Sequence, residues 1–421
     1  MSRFIIHGGR TLSGEISVRG AKNHALKLFP ASILSVGPII ITGVPDIEDI
    51  FCAGALLREL GFKVIKQGDS AYKISSPSDA ISTVLKEDIA ERIRASILFA
   101  GPLLARAGRV RFPFPGGCVI GRRPIDLFLD GWVAMGAKVR EHGTVFDVSA
   151  AELHGADIPF RVVSHTATES LLMTAVLARG NTVLRNAALE PEIIALATFL
   201  NTCGARIRGA GTPTIYIEGT NGKLLKGGMC RVIPDRIETG SFAILGALLG
   251  KRLRITNCQP EHVAVLLEHL RAAGVSIHEG KDWIEVSRPS KLNAVSMRTR
   301  EYPGFATDHQ APFVVLLTQA HGQAMVFETV FEGRLSYLAD LNRMGADIIQ
   351  CDLHRAIISG PTRLRGRSVE SPDLRAGMAF VIAALVARGT SQIGNVYQID
   401  RGYEKLDERL RALGADIVRE A

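Results

Sequence analysis

Aromatic side chains are scarce in this 421-residue chain, with two Trp and six Tyr, and its lysines and arginines are spread along it without a dense block. Single-stranded nucleic acids need stacking platforms along a basic groove, so nucleic acid is not an expected partner. Long apolar runs are missing too. The longest, Ala376 to Ala387, falls short of the roughly 20 residues that cross a bilayer. The opening Met1-Ser2-Arg3-Phe4-Ile5-Ile6-His7 leads into strand-like sequence and does not read as a signal peptide, so no membrane partner is expected. The six cysteines stand far apart, at 52, 118, 203, 230, 258 and 351, with no Cys-x-x-Cys pair and no His at zinc spacing. Free thiols in a reducing cytoplasm fit that pattern. Neither a metal nor a cofactor is expected, since no dinucleotide fingerprint follows a strand.

What is present is an ordinary globular composition, 47% apolar and 22% charged, long enough for two to four domains. The formal charge of +8, spread as it is, favours a small polyanionic ligand such as a phosphate compound.

One phrase, apolar–Gly–small–x–β-branched, recurs six times. Its glycines are Gly61, Gly136, Gly204, Gly274, Gly345 and Gly414, between 68 and 75 residues apart. A constant period of this kind marks an internal repeat. Each phrase reads as the end of an amphipathic helix, with Gly as its left-handed C′ residue, followed by a strand; Tyr403 to Leu413 is the last such helix. Upstream of each lies a more uniformly apolar helix, starting near Ala21, Arg92, Thr166, Glu238, Thr307 and Leu374, and a helix apolar on all sides is buried. Six units divide into two groups of three. The expected domains are 21–231, and 1–20 with 232–421, with a double crossover near 20 and 231–233 and the N-terminal strands pairing into the second domain. An elongated solenoid is the competing arrangement, but the visibly capped terminal repeats of a solenoid are missing.

The polar residues of interest gather at the starts of the apolar helices, where free N–H groups and the helix dipole bind anions. Six such termini aimed into one interdomain cleft, joined by Lys22, Arg94, Arg123, Arg334, Arg375 and Arg401, would trap a polyanion. Asp235, Thr239 and Asp373 read as N-caps. Lys22, Arg94 and Arg375 are poor caps near the positive end of a helix dipole, and a ligand phosphate or carboxylate is the better reason for them. Between the strands, Pro113, Pro115, Gly116 and Gly117 lead up to Cys118 through a turn-rich loop. With Arg122 and Arg123 beside it, this thiol reads either as a reactive acid or nucleophile or as a small apolar filler.

Taken together, Gly20-Ala21-Lys22-Asn23, Arg94-Ala95-Ser96, Pro115-Gly116-Gly117-Cys118, Arg123-Pro124-Ile125-Asp126-Leu127, Pro234 through Gly240, Thr307-Asp308, Glu328 through Glu332, Asp373-Leu374-Arg375-Ala376 and Ile399 through Tyr403 resemble, in order and over essentially the full length, the UDP-N-acetylglucosamine enolpyruvyl transferases (1-carboxyvinyltransferases) of the EPSP synthase-like superfamily. The resemblance implies an α/β fold of two inside-out α/β barrel domains, each of three repeats. It implies transfer of the enolpyruvyl group of phosphoenolpyruvate to the 3-hydroxyl of UDP-N-acetylglucosamine, the first committed step of peptidoglycan synthesis, with small-molecule substrates and no obligate protein partner. Cys118 would be the acid at the methylene carbon and the target of fosfomycin, and Asp308 the base, provided that burial raises its affinity for protons. Lys22, Arg123 and Arg401 would cradle phosphoenolpyruvate, and Arg94 would touch both substrates. Asn23 lies beside Lys22 in the first motif. Arg123, Pro124, Ile125, Asp126 and Leu127 would hold the uridine, Val330 and Asp308 the nucleotide sugar, and Arg334 and Arg375 would support them.

Departures cluster on the acceptor side. Ser164-His165-Thr166 stands where the family usually has Ser-Val-Gly against the pyrophosphate; His165 adds a titratable group and Thr166 restricts close approach. Gln398, Phe128, Gly333 and Leu335 also depart from the usual residues, as does Pro312, placed in the first turn of its helix. The alternatives are therefore an enolpyruvyl transferase for another uridine nucleotide, and a nucleotide-sugar-binding paralogue without turnover.

Overall fold

The computed structural model describes residues 2–78, 80–117, 121 and 123–420. They gather into two compact units: residues 20–117 with 123–233, and residues 2–19 with 234–420, to which Gly121 also belongs. The sequence places the breaks at 20/21 and 231/232; here they fall at 19/20 and 233/234. Local bonding explains the shift. The Ala21 N–H donates to the Ile233 carbonyl at 2.7 Å and the Ile233 N–H donates to Nδ1 of His24 at 3.2 Å, which ties Ile233 to the first unit. The Asp235 N–H donates instead to the Arg19 carbonyl at 2.9 Å, in the other unit.

Six apolar helices form the two cores. In the first unit they are α1 (Lys22–Ala31), α2 (Ile97–Ala107) and α3 (His165–Val176), with α2 packed on both of the others. In the second they are α4 (Arg236–Leu249), α5 (Thr307–Thr318) and α6 (Leu374–Val386), which pack on one another. The second apolar helix starts later than the sequence suggests. Glu87–Ala90 is a separate helical turn, Ile93 is extended, and Arg94–Ser96 forms one 3-10 turn before α2 begins. Pro312 falls in the second turn of α5, where it removes the N–H that would bond the Asp308 carbonyl. Thr239 is not a cap. Asp235 and Asp373 are, each accepting two first-turn N–H groups, while the Thr239 hydroxyl donates back to the Asp235 carbonyl.

Each unit holds three sheets. Five of the six share one order: an outer parallel strand, then three strands antiparallel in turn. The sixth has three strands, with a single parallel bridge, Val84 to Arg111, at its edge. The N-terminal strand Arg3–His7 sits between Thr390–Gly394 and Asp416–Glu420, and Leu12–Ser17 pairs in parallel with Gly250–Thr256.

The six repeated glycines close six outer helices in the same way. Their φ angles run from 93° to 107°, a conformation that costs any residue with a Cβ. At each, the glycine N–H bonds back three residues and the next N–H bonds back five, as in Gly204 to Asn201 and Ala205 to Leu200. This is the Schellman arrangement, which satisfies the last carbonyls of a helix and turns the chain into a strand. The last outer helix is shorter than its apolar spacing suggests; it runs Leu406–Ala412, after Lys405 at φ 45°. Among the described residues, no helix is long and apolar enough to cross a membrane.

Candidate active site

In the second unit three helix starts and the turns around Arg334 bring together a carboxylate and three arginines. Asp308, in the first turn of α5, has Oδ1 2.7 Å from Nε of Arg375 and 3.7 Å from Nη1 of Arg334. Burial alone would raise the proton affinity of Asp308, but Arg375, Arg334 and Arg236 together outweigh it and hold the carboxyl far below the usual carboxylate range. The expectation that burial would raise it is therefore wrong in sign, because three cations from three elements surround it. His309, next in the chain, is neutral near pH 7, since burial and then Arg236 pull it down to about 4.

Arg375 reaches the Tyr403 hydroxyl at 3.5 Å as well as Asp308, so it does not lack an internal partner. Arg334 is 8% exposed, and its Nε and Nη1 make no hydrogen bond. Its cation lies over the Phe331 ring, 5.2 Å from the centroid. With those two donors unbonded, Arg334 is the group here that a further anion can engage. The loop through Val330 is set by Glu328, a fully buried carboxylate that accepts from the Val330 and Phe331 N–H groups and from the Thr299 and Thr307 hydroxyls. Arg401 is buried and donates to Oε1 of Gln398 at 3.0 Å.

In the first unit, Lys22 opens α1 with its ammonium 2.7 Å from the Asp49 carboxylate, both side chains almost wholly buried. Asn23 follows, half-buried. Arg94 donates to the carbonyls of Pro115, Arg123 and Pro124 and lies over the Phe114 ring. Lys22 and Arg94, like Arg375, thus have protein partners, and a ligand is not needed to explain their burial. Arg94 differs in that its hydrogen-bond partners are neutral. Burial, and then Arg123, pull it down to about 9, a strain that an anion would relieve.

The run Arg123 to Leu127 leads into the helix Asp126–Ala134, with Ile125 buried at its start and Asp126 paired with Arg161. Leu127 lines a cavity of about 160 Å³ with Asp130, Phe160 and Arg161. Ser164 caps α3 by accepting the Ala167 N–H at 3.3 Å; His165 and Thr166 follow, half-buried. His165 is not simply turned to solvent: its Nε2 lies 2.9 Å from the Glu169 carboxylate. Cys118 lies outside the described residues.

Sequence reasoning missed Asp49, Glu169 and Lys27, and it named Arg236, Glu328 and Tyr403 only as members of motifs, without a role. The signal for Glu169 and Lys27 was available: a charged residue in a helix apolar on all sides must have a partner. Among the described residues there is no group of three His, Cys, Asp or Glu that could hold a metal ion.

Comparison with known proteins follows the same lines. The family model described as EPSP synthase (3-phosphoshikimate 1-carboxyvinyltransferase) matches residues 6–410. The chain is 43% identical over 421 residues to a Solibacter usitatus protein named UDP-N-acetylglucosamine 1-carboxyvinyltransferase, covering all of both. It is equally identical to UDP-N-acetylglucosamine 1-carboxyvinyltransferase 2 of Bacillus cereus, covering all of this chain and 97% of that one. Among solved structures it is similar to the enolpyruvyl transferase NikO from Streptomyces tendae, with a TM-score of 0.89 and 26% identity over 99% of this chain and 98% of that one.

Proposed function

The chain belongs to the EPSP synthase family, and from that premise we propose that it transfers the enolpyruvyl group of phosphoenolpyruvate to the 3-hydroxyl of UDP-N-acetylglucosamine, releasing phosphate. The observation that carries this reading is the 43% identity, over the whole of both chains, to a carboxyvinyltransferase of that nucleotide sugar. The chemistry of the residues supports it.

Cys118 gives a proton to the methylene carbon of phosphoenolpyruvate, and the neighbouring carbon becomes electron-poor. The sugar 3-hydroxyl oxygen bonds to that carbon while Asp308 takes the hydroxyl proton. The Cys118 thiolate then takes a methyl proton back, the double bond re-forms as the carbon–oxygen bond to phosphate breaks, and phosphate leaves. Lys22, Arg123 and Arg401 offset the charge of the carboxylate and the departing phosphate, Arg94 assists both substrates, and Arg334 and Arg375 support the acceptor. Arg123 to Leu127 hold the uridine, Ser164 to Thr166 the diphosphate, and Val330 the sugar nucleotide. Asn23 lies beside the cradle. The two compact units are two inside-out α/β barrel domains of three repeats each, and the reaction proceeds in the cytoplasm without a cofactor, as the committed step of peptidoglycan synthesis.

A second reading, transfer to a different uridine nucleotide, rests on the segment Ser164-His165-Thr166 at the start of α3, where the resemblance leads one to expect Ser-Val-Gly. Phosphate release from phosphoenolpyruvate, measured with UDP-N-acetylglucosamine, UMP and shikimate 3-phosphate as separate acceptors, decides. Release with the nucleotide sugar supports the proposal. Release with UMP alone moves the chain to the second reading, and silence with all three removes both.

A further inference from the structure

Helices α1 and α3 are buried along nearly their whole length, yet each carries an ionisable side chain in its interior, Lys27 on one and Glu169 on the other. The Glu169 side chain has no exposure, and its oxygens are divided between two cations. Oε2 lies 3.3 Å from Nζ of Lys27, and Oε1 lies 2.9 Å from Nε2 of His165. An isolated carboxylate there would be strongly disfavoured, so the three charges form one unit joining two helices.

His165 is the member of this unit that reaches the surface, with 21% of its side chain exposed. It is the first residue after the N-cap Ser164, at the end of α3 where free N–H groups and the positive end of the dipole gather. Nε2 meets the Glu169 carboxylate as a close charge contact without a formed hydrogen bond, and the carboxylate's charge favours the protonated ring. The state of Nδ1 then decides how His165 meets an anion: a neutral ring presents a lone pair and repels it, whereas a charged ring presents a second N–H and binds it.

We propose that Glu169 is a positioning residue that keeps His165 as an imidazolium at the start of α3, and that this fixed cation makes the acceptor site select an ionised diphosphate. The inference rests on the assignment of Ser164 to Thr166 to the acceptor and names the group that sets its selectivity. The groups around the ring come from three elements. Burial works against the charge, Glu169 on the same helix restores it, Lys27 of α1 opposes, and Glu190, just before the helix Pro191–Thr202, adds to the restoring side; the net proton affinity is raised. Glu190 is itself buried, with Oε2 free of hydrogen bonds.

The test is calorimetric titration of the full chain with UDP, and with UMP beside it, from about pH 5.5 to about pH 9. Wild type is compared with His165→Gln, Glu169→Gln and Lys27→Met, and thermal melting checks that each variant folds. The titration of UDP itself is common to all, so differences between variants report the protein. Wild type should bind UDP across neutral pH and lose affinity as pH rises through the raised range of His165. Glu169→Gln should lose it at lower pH and recover at the acid end, while Lys27→Met should shift the loss the opposite way, which general destabilisation cannot do. His165→Gln should bind UDP about tenfold more weakly at the acid end, with UMP less affected and no variant-specific pH step. If a single charge variant fails to fold, the double variant Lys27→Met/Glu169→Gln strands no charge and should behave like Glu169→Gln. Identical profiles in wild type and the Glu169 variants overturn the inference. So does an equal loss of UDP and phosphoenolpyruvate affinity, which would mark a merely structural role. Because binding needs no turnover, absence of phosphate release would remove the proposed reaction without touching this result.

Discussion

Nε of Arg375 lies 2.7 Å from Oδ1 of Asp308, and the ion pair joins the first turns of two core helices 67 residues apart in sequence. With Arg334 and Arg236 also near, Asp308 is held as an anion and is a poor base in this state. It becomes a better one only if those arginines are drawn off, and a substrate phosphate or carboxylate is suited to drawing them. The same contact that keeps the carboxylate ionised would then couple its basicity to the arrival of an anion.

Arg375→Ala should expose that coupling. Arg334 and Arg236 hold Asp308 less strongly, so its proton affinity rises and the acid limb of the pH–rate profile moves toward neutral pH. The linkage to stability has the matching sign. A depressed carboxyl stabilises the fold fully above its ordinary value of 3.8 and loses that contribution only as pH falls toward the depressed value. In the variant the contribution is smaller and its loss is complete at a higher pH. At neutral pH the variant should also be about 2–3 kcal/mol less stable, through the lost charge-assisted contact. Rate profiles and urea midpoints at two pH values check this, and superimposable profiles would free Asp308 from Arg375.

Lys22 and Asp49 offer a test of a different kind, because one residue of the pair is assigned a substrate and the other is not. Lys22→Met leaves a buried carboxylate without its cation, which should cost about 3–5 kcal/mol. Adding Asp49→Asn removes the stranded charge and should restore most of the stability but none of the turnover. Urea unfolding and phosphate release separate the two effects. A double variant as unstable as the single would show that the pair is not what matters to the fold.

The sequence and the structure agree where physics acts locally. A glycine that must take positive φ at a helix end cannot be replaced cheaply, so six such ends leave six glycines at a steady period. Helices buried on all sides leave apolar runs. The start of α2 was harder to read, because Arg92 to Ser96 has helical composition but Ile93 is extended. In the site, Lys22, Arg94 and Arg375 were recognisable as cations in need of partners. Asp49 and Asp308 could not be matched to them, since those pairs form only when separate elements pack. The sign for Asp308 was out of reach for the same reason: it is a balance between burial and arginines from three elements.

Gly204→Ala isolates the cost of the repeated turn. Gly204 has φ 107°, and an added Cβ would meet no atom within 4 Å, so only backbone strain is introduced. The expected loss is about 1 kcal/mol, smaller for Gly204→Asn, with turnover unchanged. Gly345→Ala should cost more, because there the Cβ would lie 3.0 Å from the Arg363 carbonyl oxygen. Equal and negligible losses at both sites, measured by thermal unfolding, would show that the six turns tolerate side chains.

Cys118 carries the acid step in the proposed reaction, and Cys118→Ser tests it with the smallest change of shape. A hydroxyl is a far weaker acid than a thiol, and losing a positioned general acid typically costs about 10²–10⁴ in rate. Phosphate release should fall by that order while the affinity for the nucleotide sugar stays near that of wild type, since Arg123 to Leu127 are unchanged. Fosfomycin adds an independent reading: mass spectrometry of the active wild-type chain should find the adduct on Cys118 and none on the serine variant. Near-normal turnover of the variant would remove the thiol as the acid. An active wild type left unmodified by fosfomycin would instead show a thiol too weakly ionised to react as a nucleophile, and the acid role would then rest on the rate measurement alone.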